Sequence, residues 1–119
     1  MNWYKEAADF SDRNLVIHKI KYLKEIKEVL GDISKLVFQS GKNAKKTNED
    51  ILQSKHMSSY PLIRDILIEA DEIALDNPWK FASLCTSAIT EINNKIFVFK
   101  KERDQFGKTK ENFQKGWIE

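Results

Sequence analysis

The residues best equipped for chemistry stand near the start of the chain, in the run Arg13-Asn14-Leu15-Val16-Ile17-His18. A guanidinium and an imidazole can cut a phosphodiester together without a metal. The imidazole handles the proton at the attacking hydroxyl or the leaving oxygen, and the guanidinium steadies the phosphate charge. On an ideal helix a five-residue step sets the two side chains about 140° apart. Both then reach one phosphate only if it sits over the helix N-terminus, where free N–H groups and the macrodipole favour an anion. The plainer reading makes Arg13 a surface residue and His18 part of the helix face beside Lys19. Carboxylates form a second constellation: Asp65, Glu69, Glu72 and Asp76 step by 4, 3 and 4, and Glu25 and Glu28 repeat the spacing. Such rows on facing helices can hold Mg²⁺ around a phosphate, and they are equally the solvated face of an amphipathic helix.

The Arg13 to His18 spacing resembles the R-x4-6-H signature of the HEPN ribonucleases, small helical bundles whose dimers cut RNA without metal. The resemblance covers these six residues and implies Arg13 and His18 as the catalytic pair. The carboxylate spacing is similar to that of the all-α nucleotide pyrophosphohydrolases, but the partnering E-x-x-D element is absent. No metal and no cofactor are expected.

Other chemistry finds little footing. His18 and His56 are far apart, and neither has a Cys or carboxylate at metal-ligand spacing. Cys85 lies in an apolar run with no neighbouring base or cation to activate it, so a buried, inert thiol is expected. Lys42, Lys45, Lys46 and Lys55 with Lys100, Lys101 and Arg103 would form a basic patch if the first and last long helices ran parallel. Such a patch could contact the phosphates of a nucleic acid or serve only as a solubilising rim.

The elements that must carry these residues are helical. Val16, Ile20, Leu23, Ile26, Leu30, Ile33 and Val37 follow at spacings of 4, 3, 3, 4, 3 and 4, a helix seam from a cap at Ser11 or Asp12 to a stop at Ser40-Gly41. Leu15, Tyr22, Val29 and Leu36 make a second column beside it. Gly41 to Lys46 reads as a loop, with Gly41 supplying the left-handed stop. Thr47 and Asp50 then resemble a capping box opening a short helix to about Met57. Pro61 interrupts this second leg and starts its next part, with Ile63, Ile66, Ala70 and Ile73 on the buried line. Asn77 caps the third leg and Pro78 opens it, through Phe81, Cys85, Ala88, Ile92, Ile96 and Phe99 to a stop at Gly107. The fold expected is all-α: an up-down-up bundle of three long helices, the second leg broken near Pro61, with short amphipathic arms at both ends.

At 119 residues, with 41% hydrophobic and 32% charged side chains, the chain fits one folded domain. Residues 1–10 form an N-terminal arm, 11–107 the bundle and 108–119 a tail. The first residues, Met-Asn-Trp-Tyr-Lys-Glu, lack the basic start and continuous apolar core of a signal peptide, and no stretch reaches the ~20 apolar residues of a membrane span, so a cytoplasmic location and no membrane contact are expected. Charge alternates along the chain: residues 18–46 sum to +5, 47–77 to −5 and 95–119 to +3, so successive helices attract one another. Trp3, Phe97, Phe99, Phe113 and Trp117 exceed what three helices bury. The expectation is therefore a non-enzymatic interaction module acting through protein–protein contacts, with self-association as a dimer or higher. The ribonuclease and a nucleic-acid binder using Lys42, Lys45, Lys46, Lys100, Lys101 and Arg103 are the alternatives.

Overall fold

A computed structural model describes the backbone of residues 3–118 and the side chains of residues 13–105. The regular structure among these residues is all helical: α1 (Trp3–Leu36), α2 (Gly41–Leu52), a 3-10 turn (Met57–Ser59), α3 (Pro61–Ile73) and α4 (Pro78–Ile118). The first and last helices are longer than expected. No proline stands between Trp3 and Ser11 to interrupt a helix, so the N-terminal arm is the start of α1. Gly107 does not stop α4; a glycine costs about 1 kcal/mol in a helix interior, and α4 continues through it to Ile118.

The chain divides into two compact units, Met1–Leu23 with Lys95–Glu119, and Lys24–Asn94. In the first, Val16, Ile20 and Leu23 of α1 and Ile96 of α4 are buried. In the second, α1 contributes Ile26, Leu30 and Ile33, and α4 contributes Phe81, Cys85, Ala88 and Ile92. All seven residues of the predicted α1 seam are thus buried, while Leu15 of the second column is exposed.

The expected second leg is two helices folded back on each other. A β-carbon added at Gly41 would stand 3.1 Å from the Ala74 carbonyl oxygen. Seven residues further along α2, Asn48 reaches seven residues back along α3, donating from Nδ2 to the Leu67 carbonyl at 2.8 Å. One number rises as the other falls, so α2 and α3 are antiparallel. The second unit therefore has four helical segments, not three legs. The end of α1 and the start of α4 also meet, since the Phe38 and Trp79 rings lie edge-to-face at 4.8 Å between centroids. Helix α1 arrives and α4 departs at the same end of this unit, contrary to the parallel order expected.

Local chemistry explains the breaks. Ser40, not Thr47, caps α2: its backbone is extended and its hydroxyl accepts from the Asn43 N–H at 3.2 Å. Thr47 and Asp50 fall inside the helix. No described glycine has positive φ, so Gly41 is no left-handed stop. It is the first residue of α2, and its missing side chain allows the close approach of α3. Pro61 is accepted in the first turn of α3, where no N–H is required. Asn77 caps α4 as expected, its Oδ1 accepting from the Lys80 N–H at 3.0 Å.

Helix α3 is rotated from its predicted setting. Ile63, Leu67, Ala70 and Ala74 are buried, while Ile66 and Ile73 are half-buried. Asn48 is the one buried polar residue of the described core, and its Oδ1 has no hydrogen-bond partner.

Candidate interaction surface

Arg13 and His18 are both exposed on the first unit's stretch of α1. Because α1 begins at Trp3, ten residues before Arg13, the backbone around Arg13 is helix interior. Its N–H groups are committed to carbonyls one turn back, so the free helix terminus that would hold a phosphate beside Arg13 is elsewhere.

Asp65, Glu69 and Glu72 are exposed along α3, and Asp76 is exposed in the turn that follows it. Glu69 meets Lys80 at 3.8 Å, with both side chains more than half exposed, a pair of small energetic weight. Glu25 and Glu28 are exposed on α1. Among the described residues no three His, Cys, Asp or Glu side chains gather where they could hold a metal ion. Cys85 is buried, and burial pushes its thiol up to about 12 from an ordinary 9.0, which leaves it protonated and unreactive.

Lys42, Lys45 and Lys46 belong to the second unit and Lys100, Lys101 and Arg103 to the first. Of the aromatic group, Phe97 is 60% exposed with the Lys101 ammonium 4.6 Å from its ring centre, and Phe99 is half-buried with Lys19 at 5.5 Å. Both ammonium groups lie within reach of a cation–π attraction to the ring. The side chains of Trp3, Phe113 and Trp117 lie outside the described residues.

A group not singled out from sequence stands at the end of the second unit where the short connections α1–α2 and α3–α4 lie. Trp79 is 77% exposed, Leu75 61% and Phe38 48%. Phe38 touches Trp79, and Leu75 lies beside Gly41, its Cδ2 3.7 Å from where a β-carbon would be. Phe38 and Trp79 thus pair, and Leu75 stands exposed beside Gly41 at the same end. Phe38 and Leu75 each follow a buried residue, Val37 and Ala74, and Trp79 stands two before buried Phe81, and those offsets are the signal the sequence carries. Isolated exposed apolar residues are ordinary, and an exposed aromatic pair at one end of the unit is the feature that stands out among the described residues.

No protein-family model, no curated protein and no solved structure matches the chain. Among the described residues no helix is long and apolar enough to cross a membrane.

Proposed function

We propose that this protein is a non-enzymatic helical interaction module that works through protein–protein contacts, self-association among them. The exposed group of Phe38, Leu75 and Trp79 carries the reading. An indole with most of its surface in water gains about 25 cal/mol for each Å² of apolar area that a partner covers, and aromatic side chains dominate contact energies between proteins. The exposed Phe97 and Val98 of α4, with Leu15 and Ile17 of α1, add apolar surface on the first unit.

The test is sedimentation velocity from low to high micromolar concentration. The expected result is a mass rising from 13.9 kDa toward twice that value. A mass that stays at the monomer value throughout would remove self-association from the reading.

A further inference from the structure

In the first unit the charge of the described side chains is nearly all of one sign. Residues 13–23 of α1 hold Arg13, Lys19 and Lys21 and no acid. Residues 95–105 of α4 hold Lys95, Lys100, Lys101 and Arg103 against Glu102 and Asp104. Asp104 is engaged by its own neighbour, with Arg103 Nε 3.6 Å from its Oδ1.

Helix geometry sorts these residues onto faces. Successive residues turn about 100° around a helix. Ile17 therefore stands about 100° from buried Val16, and Phe97 about 100° in the same sense from buried Ile96. Lys19 and Phe99 turn in the opposite sense from Ile20 and Ile96, and they meet at 5.5 Å. That contact matches the faces of the two helices: one sense carries Lys19 and Phe99 to a shared face, and the other carries Ile17 and Phe97 to the opposite one. Arg13, Lys21, Lys100 and Lys101 turn the same way as Ile17 and Phe97. Arg13, Ile17, Lys21, Phe97 and Lys101 are exposed and Lys100 is half-buried. Among the described residues of this unit, the one acid turned this way is Asp104.

This face selects its occupant. A wide apolar helix face is covered by two neighbours, and the first unit contains no described helix besides α1 and α4. Two helices side by side leave a groove that a third helix fills, held by a few apolar anchors. Four cations around those anchors require that helix to be acidic. A second copy brings the same basic face and is repelled from this one. A nucleic acid base stacks on an open ring, whereas the Lys101 ammonium stands 4.6 Å from the Phe97 ring centre. A bilayer rewards a broad apolar area, and this face offers one apolar side chain from each helix.

We infer that the α1–α4 groove of the first unit binds an acidic amphipathic helix of another protein. Its apolar residues pack on Ile17 and Phe97, and its carboxylates reach Arg13, Lys21, Lys100 and Lys101. The inference rests on protein–protein contact as the proposed function, and adds the face and the chemistry of the partner.

The experiment titrates the full chain into a fluorescently labelled helical peptide of about 18 residues, with leucines at every third or fourth position and glutamates between them. A twin peptide carries lysine for every glutamate. Anisotropy should show the acidic peptide binding at least tenfold more tightly than its twin. Lys21→Glu with Lys101→Glu should weaken that binding at least tenfold, while Lys42→Glu with Lys46→Glu on the second unit should leave it unchanged. Far-UV circular dichroism checks that each variant keeps its helix content. If the first reversal unfolds, Phe97→Ala at its exposed position decides, with a several-fold loss expected and no loss overturning the inference. Equal binding of the two peptides, a first reversal without effect, or a second reversal as damaging as the first also overturns it. So does tighter binding of a uridine oligonucleotide or of phosphatidylserine vesicles than of the acidic peptide. A chain that self-associates but binds no acidic peptide overturns this inference and leaves the proposed function standing. A chain that does neither overturns both.

Discussion

Replacing Asn48 with leucine should stabilise the protein, although it removes a hydrogen bond from the core. Asn48 is fully buried, donates to the Leu67 carbonyl at 2.8 Å, and leaves Oδ1 unpaired. The lost hydrogen bond costs about 1 kcal/mol, and removing the orphaned acceptor returns about 1–3 kcal/mol. The Leu67 carbonyl lies inside α3 and keeps its partner within the helix. Burying leucine there contributes about 2 kcal/mol, and its better helix propensity a few tenths more. Leucine is bulkier than asparagine, and fitting it costs about 1–3 kcal/mol. The balance is a gain of about 1–2 kcal/mol, or a midpoint about 4–8 °C higher for a domain of this size. Asn48→Asp should act in the opposite sense, by about 3 kcal/mol or more, since a carboxylate oxygen would face a carbonyl oxygen in a buried site. Denaturant and thermal unfolding followed by circular dichroism measure both changes. A leucine variant less stable than wild type, or an aspartate variant as stable as wild type, would refute the account of Asn48 as an under-satisfied core residue.

Leu30 is fully buried in the α1 seam, so Leu30→Ala should cost about 2–5 kcal/mol in denaturant unfolding through lost burial and a cavity. The two glycines should respond oppositely: a β-carbon at Gly31 meets nothing within 4 Å, whereas one at Gly41 meets the Ala74 carbonyl oxygen at 3.1 Å. Gly31→Ala should therefore raise stability by about 0.5–1 kcal/mol, and Gly41→Ala should lower it; equal shifts would show that the α2–α3 approach has room to relax. Because burial raises the Cys85 thiol from 9.0 to about 12, its contribution is fully present below about pH 9. As pH rises from there the unfolded chain ionises first, and stability falls by about 1.4 kcal/mol per unit until about pH 12. Unfolding curves of wild type and Cys85→Ala should diverge over that window and run parallel below it. RNA incubated with the purified protein in chelator should stay intact, with His18→Ala indistinguishable from wild type; cleavage abolished by that change would establish the ribonuclease reading.

The seam of α1 was legible because one residue pattern satisfied the helical period over its whole length. Helix α3 was not, since Ile63-Ile66-Ala70-Ile73 and Ile63-Leu67-Ala70-Ala74 both satisfy that period. Packing against α2 decides between them, with Asn48 bonded to Leu67, and a polar residue in the core has no periodic signature. Gly41 was ambiguous in a similar way, because a glycine between two helices suits the end of one or the start of the next. The expected single leg failed for a related reason: matched lengths suggest parallel packing only if residues 47–76 form one rod, and the 3-10 turn at Met57–Ser59 lets them fold back. The exposed aromatic pair was least visible. The contact of Phe38 with Trp79 depends on which ends of the helices come together, and the parallel order expected puts them apart.

The positions of these contacts along the chain also bear on how the second unit folds. Glu69 and Lys80 are near neighbours in sequence, and Asn48 and Leu67 are 19 residues apart. Phe38 and Trp79 are separated by about 40 residues, so the loop they close costs more entropy than either of the others. Local pairs form ahead of distant ones when closure entropy sets the order. The α3–α4 and α2–α3 turns therefore close early, and the meeting of Phe38 with Trp79 comes late. By this ordering the aromatic end of the second unit is assembled only once its other helix pairs are in place.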